Sequence, residues 1–230
     1  MKRNKTRRLL LVAVILLCFA LIGGAFGKYL TRIPVSGKVT FTAKLAEKVT
    51  LREHLVSQDK SGRYTLSNSP TNHNEYLLLP GLDIPKDPWI TIEGKTPLKS
   101  YLFLEVVETA DVSVSQGSDT DSVITYSLTN NWLKLDNVSG KQGGTVYVYA
   151  TGGKAKPLDQ TDAPKFEVNI LEPLKDGEPE TIRVSQKLVT EGTAETDVLE
   201  FHAYLVEIFR ENDVEKTPEE VFAYHTTTTP

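Results

Sequence analysis

Cysteine is nearly absent from this chain of 230 residues. The one cysteine, Cys18, lies inside an apolar run near the N-terminus. The chain beyond that run has no thiol, which excludes a disulfide, a cysteine nucleophile and a cysteine-based zinc site there. About 200 residues remain, enough for one domain with a well-buried core.

Basic residues are scarce outside the extreme N-terminus. Five of the 26 Lys and Arg residues fall within the first eight positions, which leaves 21 against 30 acidic residues from Lys28 onward, a formal charge of −9. An acidic domain without a basic stripe argues against nucleic-acid binding, because neutralisation of phosphates supplies most of that affinity. The balance suits an exported protein, and no nucleic-acid partner is predicted.

Motifs of familiar catalytic sites are also missing. The chain has no G-x-S-x-G elbow of a serine hydrolase. The Gly-rich pieces 141–144 and 152–153 lack the Lys-Ser/Thr of a P-loop, so we interpret them as hairpin loops. No catalytic residue and no cofactor is predicted.

The four histidines give only a weak indication of a metal site. None lies in an HExxH motif, and no two have the close spacing of a known zinc motif. His54 beside Glu53 and His202 near Glu200 could meet in space, so His54 and His202 are weak metal candidates. The alternative is that these histidines are solvated or hydrogen-bonded.

Residues 1–27 have the three parts of a secretory signal peptide. A basic segment precedes an apolar run from Leu9 to Phe26. Ala25 and Gly27 fit the small-x-small pattern of a cleavage site, which places the mature N-terminus at Lys28. The alternative is an uncleaved membrane anchor, since 18 apolar residues are just enough to span a bilayer. A secreted or cell-surface location is expected on either interpretation, with membrane contact only through the leader if it is cleaved.

The stretch Tyr76–Glu108 predicts the centre of the fold. It contains two strand-like runs, Trp89–Glu93 and Ser100–Glu108, rich in β-branched and aromatic residues. The second run is apolar on both faces, which is typical of a strand covered on both sides.

About a dozen short strand patterns separated by turns predict an all-β sandwich over residues 39–225. Residues 67–74 are predicted as a loop and 151–164 as a mobile insertion. A short helix is predicted over Thr217–His225, with Thr217 as N-cap and Glu220 completing a capping box. Residues 226–230 are predicted to be a featureless, disordered tail.

Residues 28–38 have an extended pattern of a different kind. Tyr29, Ile33 and Val35 alternate onto one face. Pro34 cannot donate a hydrogen bond to a neighbouring strand, so the segment suits an edge or an added strand. It is either a donor strand inserted into another subunit's sheet or an ordinary first strand with a frayed end.

Aromatic residues allow one further interpretation. Trp89, Trp132 and the tyrosines could form a platform for sugar binding. Their alternation along strands favours core packing instead.

The run LPGLDIPKDPWITIEGKTPLKSYLFLEV resembles the TasA/camelysin family of secreted biofilm-matrix proteins of Gram-positive bacteria. Further landmarks follow in the family's order: GGAFGKYL ending the leader, Glu53-His54, residues 127–135 with Trp132, LEFHAYLVEIF and TPEEVFAYH. The resemblance implies a jelly-roll-like antiparallel β-sandwich and export through a dedicated SipW-type signal peptidase. It also implies assembly into fibres by an N-terminal donor strand, with self or a homologous matrix protein as partner.

The resemblance leaves two other functions open. The family carries a camelysin metallo-endopeptidase label, but no zinc-binding helix is recognisable in this chain, so that activity is an alternative. A carbohydrate-binding surface module is a third possibility, resting only on the versatility of the fold. The leader exit Lys28-Tyr29-Leu30 departs from the family's usual ending, which leaves the cleaved bond open.

Overall fold

The computed structural model describes residues 31–39, 48–60, 63–78, 83–94, 98–108, 114–116, 124–159, 165–173, 181–184, 199–211 and 214–228. The strands, in chain order, are β1 (Thr31–Val39), β2 (Lys48–Gln58), β3 (Tyr64–Thr71), β4 (His73–Leu78), β5 (Asp83–Pro85), β6 (Trp89–Glu93), β7 (Ser100–Glu108), β8 (Val114–Gln116), β9 (Ile124–Tyr126), β10 (Trp132–Ser139), β11 (Thr145–Thr151), β12 (Lys154–Ala155), β13 (Lys165–Asn169), β14 (Thr181–Val184), β15 (Leu199–Glu207), β16 (Arg210–Glu211) and β17 (Val214–Glu215). A helix, α1 (Pro218–Thr228), follows them.

The strands form two main layers. The larger sheet has seven strands in the order β10-β11-β7-β15-β1-β4, with β12 paired to β11. A four-stranded sheet, β13-β6-β2-β3, shares one hydrophobic core with it. A second four-stranded sheet, β5-β14-β9-β8, and the β16–β17 ribbon complete the described fold. The predicted all-β sandwich with a short C-terminal helix is confirmed.

Strand β7 is the central strand that its sequence predicts. It pairs with β15 along nine residues and with β11 on its other edge. Leu102, Leu104 and Val106 belong to the core between the sheets. Tyr101 and Phe103 point to a second core on the outer face of the larger sheet. Each such fully buried large side chain stabilises the fold by about 1.5–3 kcal/mol.

Helix α1 covers that outer face. Glu220 accepts from the Thr217 N–H at 2.9 Å and the Thr217 hydroxyl accepts from the Glu220 N–H at 3.4 Å, which is the predicted capping box. Val221 and Phe222 are fully buried, and the Phe222 ring lies 5.0 Å from that of Phe103. The helix runs three residues beyond the predicted end at His225, so residues 226–228, predicted as part of a disordered tail, are helical.

Two further local predictions were wrong within the described residues. Residues 67–74, predicted as a loop, belong mostly to β3 and β4. In the predicted mobile insertion 151–164, β12 pairs with β11, and Leu158 is buried and exchanges backbone hydrogen bonds with Ser100. The sandwich is mostly antiparallel, as predicted, with two parallel pairs, β1 with β15 and β8 with β9.

Candidate functional site

Strand β1 lies within the larger sheet rather than at its outer edge. Residues 37–39 pair in parallel with residues 201–203 of β15. Residues 31–36 pair antiparallel with residues 73–78 of β4. β1 therefore joins β15 to β4, with its C-terminal residues paired to β15 and its N-terminal residues paired to β4. We call residues 201–203 and 73–78, which pair with β1, the acceptor groove.

The β15 side of the groove is buried on both faces. Phe201 and Ala203 lie in the sandwich core, and Tyr204 lies in the core under α1. One backbone edge of β15 is taken up by β7, so the other edge has β1 as its partner. A buried N–H or C=O without a partner costs about 1–3 kcal/mol. A strand in the groove therefore stabilises residues 201–203.

Pro34 sets a limit on the β1 ladder. It lies opposite Glu75 of β4 and has no N–H, so it cannot donate to β4 at that point. It lies outside residues 37–39, so the pairing with β15 keeps all its donors. The pattern of residues 28–38 predicts an edge or an added strand because of Pro34. In the structure β1 instead lies between β15 and β4 in the strand order, and Pro34 itself pairs only with β4.

The β4 side of the groove is tied to the smaller sheet by Asn74. The Asn74 amide donates to the His54 carbonyl at 2.8 Å, and its Oδ1 accepts from the Val56 N–H at 2.9 Å. The β2–β3 register is irregular between His54 and Val56, so these backbone groups need a partner from elsewhere. One buried side chain supplies it, which holds β4 in place through contacts that do not involve β1.

One ion pair and one histidine–carboxylate contact join β2 to the turn between β5 and β6. Lys86 Nζ donates to Glu53 Oε2 at 2.5 Å. Beside it, His54 Nδ1 lies 2.6 Å from Asp87 Oδ2, and Asp87 Oδ1 accepts from the His54 backbone N–H at 3.0 Å. We call Glu53, His54, Lys86 and Asp87 the charge clasp. Breaking a buried pair by removing one partner typically costs 3–5 kcal/mol, so the clasp fixes the turn onto β2.

The clasp lies between the core and the surface. Lys86 and Glu53 are 1% and 2% exposed, whereas the His54 side chain is 37% exposed. Lys86 Nζ also lies 5.9 Å from the ring centroid of Phe201, on the β15 side of the acceptor groove. The clasp and the groove are thus neighbours in the core.

A second buried carboxylate, Glu105 on β7, holds the β10–β11 hairpin. It accepts from the N–H groups of Gln142 and Gly144 at 2.7 and 3.0 Å, and from the Tyr204 hydroxyl at 2.8 Å. A Cβ on Gly140 would overlap this carboxylate, so the hairpin needs glycine there. The Gly-rich piece 141–144, predicted as a hairpin loop, thus binds the Glu105 carboxylate through its backbone N–H groups.

Burial changes the titration of the groups around Glu105. It raises the pKa of Tyr204 far above its usual value, and the hydrogen bond to Glu105 adds to the effect. Burial also lowers the pKa of His225, on α1, to about 4, with a smaller contribution from Lys141. Both groups are therefore neutral at pH 7, and neither is poised for proton transfer near that pH.

The two weak metal candidates do not come together. His54 lies on β2 with Asp87 as its carboxylate partner, whereas His202 lies on β15 with Nε2 3.1 Å from Glu200. Across the described ranges, no three His, Cys, Asp or Glu side chains are grouped as metal ligands.

The two tryptophans are placed differently. Trp132 is buried and its Nε1 donates to the Asn169 carbonyl at 3.1 Å, so it is not part of an exposed platform. Trp89 is half-buried, with its ring 4.8 Å from that of His54.

Several predicted functional residues lie outside the described ranges. They are Ala25, Gly27 and Lys28 of the cleavage site and Tyr29 of the donor-strand candidate. The other two donor-strand residues lie on β1, Ile33 opposite Tyr76 and Val35 opposite Asn74. Among the described residues, no helix is both long and apolar enough to cross a membrane.

The sequence pointed to the residues of the charge clasp but not to which of them pair with each other. Glu53-His54 and Lys86-Asp87 both stand in segments singled out by the resemblance, but nothing in either segment indicates that they pair across 33 positions. Glu105 gave a signal that could have been followed, since it is a carboxylate at an inward position of a strand apolar on both faces.

Comparison with known proteins gives no independent identification. No family model, curated protein or solved structure matches the chain.

Proposed function

We propose that this chain is a secreted structural protein of the extracellular matrix or cell surface, which assembles into fibres by exchanging β1 between copies. The observation that carries the proposal is the position of β1 between β15 and β4. The resemblance of the sequence to the TasA/camelysin family supports the same function.

The acceptor groove supports exchange because its backbone hydrogen bonds can be made by β1 of the same chain or by β1 of another copy. Residues 201–203 need backbone partners, and residues 31–39 from a second copy provide the same hydrogen bonds as those from the first. Exchange of an identical element between copies has a low energetic cost for that reason. Each copy that donates β1 has an empty groove of its own to fill, so the contact propagates head to tail into a filament.

A truncation tests the need for β1. Protein Lys28–Pro230 is compared with a version beginning at Val39 by sedimentation and electron microscopy. We expect filaments from the longer form and none from the shorter form. A monomeric longer form under all conditions, or filaments from the shorter form, contradicts the proposal.

Disulfide trapping tests the register of the exchange. Ile33→Cys in one preparation and Tyr76→Cys in another are mixed and oxidised, since these positions face each other in the β1–β4 ladder. Opposed residues of an antiparallel pair have Cα atoms about 4.5–5.5 Å apart, which a disulfide spans. We expect mixed dimers, identified by mass. Tyr224→Cys, on the exposed side of α1, replaces Tyr76→Cys as the control and should not trap. Equal trapping in both mixtures contradicts the proposed register.

The other two functions have less support. A camelysin-like metallo-endopeptidase needs converging ligands, and His54 and His202 lie on strands of different sheets. A carbohydrate-binding module needs exposed aromatic faces, and Trp132 is buried. Filaments that form in the presence of a metal chelator would separate assembly from a metal-dependent activity.

A further inference from the structure

The Lys86–Glu53 pair is unusual for where it lies. Both side chains are charged types, yet both are almost fully buried in the core. Glu53 Oε2 meets Lys86 Nζ, but Glu53 Oε1 is buried without any hydrogen-bond partner. The cost of removing an ion pair from water is offset only when the remaining lone pairs accept hydrogen bonds, and here one carboxylate oxygen accepts none.

We propose that Glu53 and Lys86 are joined by an isopeptide bond, an internal amide between the two side chains. The bond would link β2 covalently to the turn between β5 and β6. It removes both buried charges and one of the two carboxylate oxygens, so the cost of burying two charges is replaced by the smaller cost of burying a neutral amide. The chain beyond the leader has no cysteine, so an amide is a covalent tie that its composition still permits.

The reaction is a condensation that needs no other reactant. A proton passes from the Lys86 ammonium to the Glu53 carboxylate along their 2.5 Å contact. The neutral amine nitrogen then attacks Cδ of the carboxylic acid, and a tetrahedral intermediate forms. The C–O bond to the hydroxyl breaks, and the hydroxyl leaves with a proton from nitrogen as one water molecule. The product is an amide 18 Da lighter than the two separate side chains.

The surroundings hold the reacting atoms together. With Nζ 2.5 Å from Oε2, Cδ lies within about 3–3.5 Å of the nucleophile, which is the separation of a near-attack conformer. The neighbouring His54–Asp87 contacts fix the two backbones beside the pair. The apolar surroundings, with Phe201 5.9 Å from Nζ, keep out the water that would favour the charged pair and reverse the reaction.

Peptide mapping of the intact exported protein tests the inference. An unlinked chain gives tryptic peptides 53–60, 64–86 and 87–95. The linked chain gives one branched peptide, because trypsin cannot cleave after an acylated Lys86, and residues 53–60 are attached to 64–95 with a loss of 18 Da. Recovery of the three separate peptides in full yield from the folded protein overturns the inference and leaves an ordinary ion pair.

Variants and an internal control identify the reacting groups. Lys86→Arg keeps the charge without a nucleophilic amine and should abolish the branched peptide. Glu53→Gln should give the same branched peptide as the native chain, since ammonia leaves in place of water. Lys99 and Glu215 form a comparably short pair, 2.6 Å, at the surface, and no peptide linking them is expected. A branched peptide that persists in Lys86→Arg overturns the assignment. The map is read independently of filament formation, so it can fail while the proposed assembly stands.

Discussion

The Glu105 carboxylate allows a graded test of how the β10–β11 hairpin is held to the sheet. Glu105→Gln preserves the shape of the side chain. Its amide oxygen can accept from the N–H groups of Gln142 and Gly144, and its NH₂ can donate to the Tyr204 hydroxyl oxygen. The charge is lost and the Tyr204 O–H loses its acceptor, so we expect the free energy of unfolding to fall by about 1–2 kcal/mol.

Glu105→Ala removes the acceptor altogether. Two backbone N–H groups and the Tyr204 hydroxyl then lose their partner inside the fold. At about 1–3 kcal/mol for each, and with some relief if water enters, we expect a loss of about 4 kcal/mol. A domain of this kind is stable by about 5–15 kcal/mol, so the alanine variant should lose a large share of its stability.

Urea unfolding of the monomeric form measures both changes. Glu207→Ala, at an exposed position on β15, is the matched control and should change stability by about 0.5 kcal/mol or less. The order of unfolding midpoints should be control, then Gln, then Ala. If the Gln and Ala variants unfold at the same midpoint, the hydrogen bonds to Glu105 do not hold the hairpin and the reasoning is refuted.

Three further predictions concern the same core. Burial lowers the pKa of His225 to about 4. The neutral ring therefore contributes fully to stability above pH ~6.5, its ordinary pKa, and this contribution is lost as the pH falls toward 4. His225→Gln should remove this pH dependence of the free energy of unfolding, measured by urea titrations at stepped pH. Burial raises the pKa values of Tyr126 and Tyr204, so their contribution to the free energy of unfolding is complete below pH ~10 and declines above it. The phenolate absorbance of these two tyrosines should therefore appear only when the protein unfolds. Phenolate absorbance in the folded protein would contradict the burial of the two hydroxyls. Gly140→Ala should destabilise the hairpin, because the new methyl group overlaps the Glu105 carboxylate, and pairing it with Glu105→Ala should relieve the overlap in a double-mutant cycle.

The sequence could predict the fold where one strand or helix carries its own signal. β7 carries apolar side chains on both faces between Tyr101 and Val107, with Glu105 as the exception, and this pattern is typical of a strand covered on both sides. The capping box at Thr217 and Glu220 is likewise local, with the partners three residues apart. Such features need no knowledge of the rest of the chain.

The strands β3 and β4 show where local reasoning stopped. Residues 67–74 are rich in Ser, Asn and Pro, which favour turns by propensity. They form strands because β2 and β1 supply backbone partners from distant parts of the chain. Tertiary pairing overrides a weak propensity of this kind, and no window of sequence contains that information.

The sequence predicted the separate segments of the candidate site but not how they pair. The pattern of residues 28–38 indicated an extended segment unsuited to a regular central strand, and β1 is a strand over Thr31–Val39. Its neighbours could not be inferred, because a parallel partner 164 positions away, as in Gly37 opposite Phe201, leaves no mark in the sequence. The same holds for the charge clasp, whose two segments are joined only by folding.

Asn74 bears on why exchange of β1 need not unfold its acceptor. If β4 were held by β1 alone, departure of β1 would release β4 as well, and a second copy would meet a disordered groove. Asn74 instead joins β4 to β2 through two hydrogen bonds of its own. The charge clasp fixes β2 in turn to the turn before β6, with Lys86 against Phe201 of β15. Both sides of the acceptor groove are therefore connected through the smaller sheet and the core. In the proposed exchange, these contacts would hold the two sides of the groove in place when a second copy supplies the strand. An Asn74→Ala variant should thus impair filament growth more than it impairs the Ile33–Tyr76 contact within a single chain, measured as a disulfide between cysteines at both positions. Equal loss of the two would show that β1 itself holds β4 in place.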